Sequence, residues 1–276
     1  MAAESGTSTT EGQDPMPEIL LETIDVRKAF GALVAVRDVN IKIAAHTLHS
    51  IIGPNGAGKT TLFNVLSGYL PATSGRVIYK GRDITDLPMH RMAHLGIGRA
   101  FQITNLFPSL SVLENVRLAH QAVAGNNFRL FQPHGRFKEH LERAWEVVEI
   151  VGLAERAMQP ARTLAHGDQR KLELGMILAP DPDVLLLDEP TAGMASEQVP
   201  DLIALIEEIK ERGRKTILLV EHNMNVVMSV SDVITVMHQG EILAEGTPAE
   251  INRNEAVQAA YLGDLDGSSG AAPARH

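Results

Sequence analysis

The chain has 276 residues, 44% of them apolar, a formal net charge of -9 and no cysteine. That length suits one domain with an appended subdomain and a sizeable core, and the acidic balance excludes a general nucleic-acid binder, which needs clustered Lys and Arg. Disulfides and thiolate metal sites are ruled out, no apolar run approaches the ~18 residues that span a bilayer, and the N-terminus lacks the basic and apolar parts of a secretory signal. The chain therefore reads as soluble, with any membrane connection made through a partner.

Residues 1–17, rich in Ser, Thr, Gly and Glu, offer nothing to bury and are expected to form a disordered tail. Residues 19–26 and 39–43 read as strands joined through Lys28-Ala29-Phe30-Gly31. By position alone, Phe30 is a core residue. The apolar run 48–52 predicts a strand and the run 60–66 a helix. Between them, Gly53-Pro54-Asn55-Gly56-Ala57-Gly58-Lys59-Thr60-Thr61 matches G-x-x-x-x-G-K-[ST], the phosphate-binding loop. Glycines bring backbone N–H groups close to phosphate oxygens, Lys59 neutralises the β- and γ-phosphates of a nucleotide, and the Thr60 hydroxyl ligates Mg²⁺. Strand before and helix after supply the context this chemistry needs.

A turn at 71–75 leads to a strand at 76–79. Residues 89–95 carry His90 and His94 at helical spacing; with no carboxylate at matching spacing, they read as a solvated helix face rather than metal ligands. Gly96 to Phe101 leads into Gln102, and the loop-like 103–108, which includes Ile103 and Pro108, is either packed core or a surface awaiting a partner. Residues 110–123 predict a helix. Residues 137–151 predict an amphipathic one with Leu141, Ala144, Trp145, Val148 and Val151 on one face. Residues 117 to about 162 thus form a helical insertion in an α/β chain, and the subdomain around it spans about 110–175.

Leu164-Ala165-His166-Gly167-Asp168-Gln169 precedes a helical run at 170–178. Its small residues make a potential anion site, although by themselves they are better explained as a plain helix start capped by Asp168. The apolar run 184–187 predicts a parallel strand buried on both faces, ending in Asp188 and Glu189, where open α/β sheets bind ligands. A helix at 202–212 closed by Gly213 follows, then a buried strand at 215–220 ending in Glu221-His222, a hairpin around Gly240, and a terminal helix at 254–262. Residues 264–276 return to tail composition.

In this order, GPNGAGKTT, Gln102, LAHGDQ, the LLLDEP strand and His222 resemble the ATP-binding subunit of an ABC transporter over residues 19–263. The resemblance implies an α/β P-loop NTPase core with an antiparallel β subdomain and an inserted helical subdomain, and transport-coupled ATP hydrolysis with Mg²⁺. By its implication Phe30 stacks on adenine, Lys59 holds the phosphates, and Thr60, Gln102 and Asp188 position Mg²⁺. Glu189 is then the general base, His222 contacts the γ-phosphate, and Ala165, His166 and Gly167 close over ATP bound by a second ATPase subunit. GIGRAFQ, VEHNM and AYLG resemble importers of branched-chain amino acids more closely, with close kin serving urea or short amides. Expected partners are permease subunits docking at 103–108, a second, different ATPase subunit, and indirectly an external binding protein. The expected location is the cytoplasmic face of the membrane, as a peripheral subunit. A soluble ABC ATPase acting on nucleic acid or ribosomes is disfavoured by the single phosphate loop and the acidic balance. The pattern departs from the family where Ala165 replaces Ser, His166 replaces Gly and Ala195 replaces Asp or Asn.

Overall fold

The computed structural model describes residues 18–100, 106–124 and 134–267. Strands β1 (Ile19–Phe30), β2 (Leu33–Val39) and β3 (Lys42–Ala44) open the chain. β4 (Leu48–Ile52) and α1 (Lys59–Leu66) flank the phosphate loop, and β5 (Ser74–Tyr79) and β6 (Arg82–Asp83) return to the first strands. After α2 (Met89–His94) and β7 (Ile97–Arg99) come three helices, α3 (Val112–Val123), α4 (His134–Ile150) and α5 (His166–Leu178). The last third alternates: β8 (Val184–Asp188), α6 (Val199–Gly213), β9 (Thr216–Val220), α7 (Met224–Val230), β10 (Val233–His238), β11 (Glu241–Gly246), α8 (Pro248–Arg253) and α9 (Glu255–Gly267).

All five residues of β4, β8 and β9 are buried, so these strands need cover on both faces. They lie inside a six-stranded sheet of order β11-β10-β4-β9-β8-β7, parallel except for the β10–β11 pair. One face packs on α3 to α6 through residues such as Val147, Leu172, Leu187 and Leu205. The other packs on α1 and an antiparallel sheet of order β2-β1-β5-β6, with β3 also paired to β1. Loops from the C-terminal ends of β4, β8 and β9 carry Gly53, Glu189 and His222, the side on which open α/β sheets place ligands.

Several local expectations change. Lys28 to Phe30 are the end of β1, paired with β2 through Phe30 and Leu33, because Gly31 (φ 59°) turns the chain at once. Phe30 is 47% exposed, which overturns the core reading: it sits at the tip of the hairpin, not under it. α4 turns Val147 into the core and leaves Trp145 37% exposed; the buried stripe is Ala144, Val147, Val148 and Val151. The helix cap after α6 is Arg214 in the left-handed region (φ 48°), with Gly213 still helical. α9 keeps a helical backbone to Gly267, past Gly263, since one interior glycine costs only ~1 kcal/mol. The expected tail at 1–17, and residues 268–276 of the other, lie outside the described residues.

Candidate active site

The phosphate loop folds as it does because two of its glycines have no room for a side chain. A Cβ on Gly53 (φ 150°) would strike the Met237 carbonyl of β10, and one on Gly58 (φ 98°) the Ala35 carbonyl of β2. Gly58 is the N-cap of α1 and contributes no side-chain acceptor. The first-turn N–H groups and the positive end of the helix dipole are therefore available to an anion. Lys59 is buried, its Nζ donating to the Gly53 carbonyl at 2.8 Å and the Pro54 carbonyl at 3.0 Å. Asn55, Gly56 and Thr60 are exposed, Pro54 and Ala57 buried, and Thr61 intermediate.

Asp188 ends β8 only 6% exposed, and neither carboxylate oxygen accepts a hydrogen bond among the described residues. Desolvation first, then the charges of Glu189 and Glu221, push its pKa up to about 6, against the pull of Arg99 and Lys59. A buried carboxylate with unpartnered oxygens is a costly arrangement that a hard cation relieves. The donor set at Asp188, with the Thr60 hydroxyl one residue beyond Lys59, fits Mg²⁺.

Glu189 follows in the left-handed region (φ 48°), which carries strain for a non-glycine residue. Its N–H donates to the Val220 carbonyl at 2.8 Å. His222 is 65% exposed and places Nδ1 3.8 Å from Glu189 Oε1 and 3.9 Å from Glu221 Oε2. Lys59, Asp188, Glu189 and His222 are thus gathered around one loop, while Gln102 lies outside the described residues.

The turn Ala165–Gly167 stands apart from this group. Ala165 is the N-cap of α5, without a side-chain acceptor, and Gly167 is buried under Gln198, whose Oε1 would be 2.9 Å from a Cβ there. Asp168 does not cap the helix; it pairs with Arg156. His166 is exposed beside Gly193, in the loop after β8. At the hairpin tip, Lys28 Nζ stands 5.1 Å from the centroid of the Phe30 ring and also donates to the Pro71 carbonyl.

Three contributors were not foreseen. Arg99 of β7 bonds Asn64 and Ser67 on and just after α1, between the rings of Phe63 and Tyr69, each 5.1 Å away. Tyr261 of α9 meets the backbone of Gly53. Glu221 is fully buried between the loops of Glu189 and His222. A Glu-His pair ending a buried strand was the only sequence signal for the last; the first two lie in the GIGRAFQ and AYLG stretches, which pointed to a family and not to these contacts.

A phosphate loop at a helix N-terminus, beside a histidine that follows the neighbouring parallel strand β9 and an Asp-Glu pair ending the next strand, β8, defines a P-loop ATPase. The chain belongs to the ABC transporter family, whose model matches residues 36–192, and residues 241–266 match the model of the branched-chain amino acid ATP-binding cassette transporter. It is 40% identical over 254 residues to the high-affinity branched-chain amino acid transport ATP-binding protein LivG of Escherichia coli K12, covering 90% of this chain and all of that one. Among solved structures it is similar to the ADP conformation of MJ1267, an ATP-binding cassette of an ABC transporter, with TM-score 0.79 and 31% identity over 89% of this chain and 99% of that one. It also resembles the dimeric post-hydrolysis state of the cassette MJ0796 bound to ADP and Pi, with TM-score 0.70 and 27% identity over 83% and 99%. The chain is accordingly a transporter ATPase. No helix among the described residues is long and apolar enough to cross a membrane.

Proposed function

We propose that the chain hydrolyses ATP to energise import of branched-chain amino acids, as one of two different ATPase subunits bound to permeases at the cytoplasmic membrane face. The substrate rests on the match at 241–266 and on the named function of LivG. The hydrolytic roles rest on one observation: Lys59, Asp188, Glu189 and His222 converge on a single loop.

In this reading Lys59 and the open N–H groups of α1 hold the β- and γ-phosphates, and Phe30 offers its exposed face to the adenine. Thr60, Asp188 and Gln102 hold Mg²⁺, which when bound neutralises charge on the phosphate oxygens. Glu189 takes a proton from the water attacking the γ-phosphorus as the bond to the leaving oxygen of ADP breaks; His222 orients that water. Ala165, His166 and Gly167 face the ATP of the second ATPase subunit, with the uncapped N–H groups of α5 as donors.

Permease docking at 103–108 has a physical basis in its described part. Phe107 is 49% exposed, yet its backbone is held at both ends by fully buried Asn115 (2.7 and 3.2 Å). Beside α3, a cleft of about 220 Å³ lined by Met89, Met92, Ala119, Met176 and Ile177 supplies further apolar surface. Reconstitution with permeases, the second ATPase subunit and the external binding protein in vesicles tests the whole reading: ATP-driven uptake of leucine, isoleucine and valine is expected, and Lys59→Ala abolishes it with an unchanged melting curve. Uptake of urea or an amide in place of leucine overturns the substrate; undiminished uptake by Lys59→Ala overturns the site.

A further inference from the structure

Glu221 is a carboxylate with no exposure, at the end of β9, and burying such a charge is costly unless its oxygens are satisfied. They are, and by two different segments. Oε1 accepts the Thr191 N–H at 3.1 Å and the Thr191 hydroxyl at 2.5 Å. Oε2 accepts the N–H of His222 at 3.1 Å and that of Asn223 at 3.4 Å. Thr191 lies two residues beyond Glu189 in the same turn, itself closed by Ala192 N–H to the Glu189 carbonyl at 3.0 Å. Asn223 caps α7 through its side chain, so the His222 loop runs straight into a helix. One oxygen therefore grips the turn of Glu189, the other the loop of His222.

We propose that Glu221, with Thr191, is the positioning residue of hydrolysis: it sets the separation of Glu189 and His222 without touching substrate. This rests on the roles given above to those two residues. Glu189 occupies a strained left-handed conformation, which persists only where its surroundings over-determine it, and Thr191 is the nearest fixed point on its turn. Glu221→Gln replaces one acceptor oxygen by an NH₂ group facing N–H or O–H donors, which drives one of the two segments away. Thr191→Val removes the hydroxyl and keeps the shape; Thr191→Ser restores the hydroxyl.

The full chain is assayed for ATP hydrolysis with its permeases and a sister ATPase whose own general base is changed to Gln, so that turnover reports on this chain. Glu221→Gln and Thr191→Val are expected to lower kcat about 10–100-fold, the usual cost of losing a group that orients a reactive one, with KM for ATP little changed. Thr191→Ser keeps the wild-type rate. On a His222→Ala background, Glu221→Gln costs less than it does in the wild-type chain, because the part of its hold that acts through His222 has nothing left to position and only the turn of Glu189 remains. Wild-type kcat in both single variants, a rise in KM with kcat intact, or a full multiplicative loss on the His222→Ala background overturns the inference. If Glu221→Gln does not fold, Thr191→Val and its double with Glu189→Gln carry the same comparison, because Thr191 holds the turn of Glu189. His222→Ala with wild-type kcat overturns the role of His222 itself, and this inference with it, a failure distinguishable from a His222-dependent rate that ignores Glu221.

Discussion

Asp188 and His49 are both buried titratable groups in or beside the central strands, and their effects on stability run in opposite directions over the same pH range. Asp188 has its pKa raised from 3.8 to about 6 by desolvation and by Glu189 and Glu221. The folded state thus binds that proton more tightly, and the associated stability, present below about 3.8, is lost as pH rises through about 6. His49, 1% exposed on β4 and bonded through Nε2 to the Thr235 hydroxyl at 2.7 Å, has its pKa lowered from 6.5 to about 4 by burial. Its contribution is present above 6.5, is lost as pH falls through 4, and is bounded by about 3 kcal/mol. In Mg²⁺-free urea titrations between pH 4 and 7.5, Asp188→Asn should be more stable than wild type at pH 7 and fall more steeply on the acid side. His49→Gln should flatten that acid-side fall. An Asp188→Asn chain no more stable at pH 7 would show that the orphaned carboxylate is not a liability. Lys59, Asp188, Glu189 and His222 were legible in the sequence because each is bound to a local pattern of loop or strand end. Glu221 and Thr191 were not, because their roles depend on burial and on bonds spanning thirty residues.

Elements were most legible where periodicity and sterics agree. β8 and β9 were readable by the apolar runs 184–187 and 217–220, since strands covered on both faces need no alternation. β4 holds His49 and Ser50 among Leu48, Ile51 and Ile52 and was placed by the phosphate loop after it. β2 escaped because Leu33–Val39 places Arg37 and Asp38 among its apolar residues and follows a one-step turn at Gly31. In α4, Trp145 looked like core by hydrophobicity, but it lies one position off the Ala144–Val148–Val151 stripe. The start of α5 gives an element-scale prediction. Ala165 occupies the N-cap with extended backbone angles (φ -63°, ψ 157°) and no acceptor, where Ser would accept an N–H from the first turn. Ala165→Ser should raise stability by about 0.5–2 kcal/mol in urea unfolding of the chain alone, as replacing a non-capping residue at this position does. An unchanged midpoint would mean that the Arg156–Asp168 pair and the cover of Gln198 already fix this turn.

At the scale of the whole molecule, the departures at Ala165, His166 and Ala195 bear on which partner completes the ATP site. Ala165 and His166 are exposed, at the helix end that in the proposed assembly faces the other subunit's nucleotide, and Ala195 is the N-cap of the short turn leading into α6. Without a hydroxyl at 165, this face offers a γ-phosphate backbone N–H groups only; a hydrogen bond to a charged group is worth about 1.5–3 kcal/mol. A symmetric dimer would lack that hydroxyl twice, whereas pairing with a sister ATPase bearing Ser at this position restores it at one of the two sites. Glu189→Gln isolates the effect. In the proposed role of general base Glu189 would contribute about 10²–10⁴ in rate, so the variant should bind ATP and turn it over very slowly. Its neutral amide also removes one of the negative charges crowding Asp188, which favours the closed state. With ATP and no Mg²⁺, the pure Glu189→Gln chain should elute mainly as a monomer in size-exclusion chromatography, and as a dimer once a sister ATPase carrying the same substitution is added. A tight homodimer from the pure variant would show that backbone donors suffice at this face and that the partner need not differ; rapid hydrolysis would remove Glu189 from the role of base.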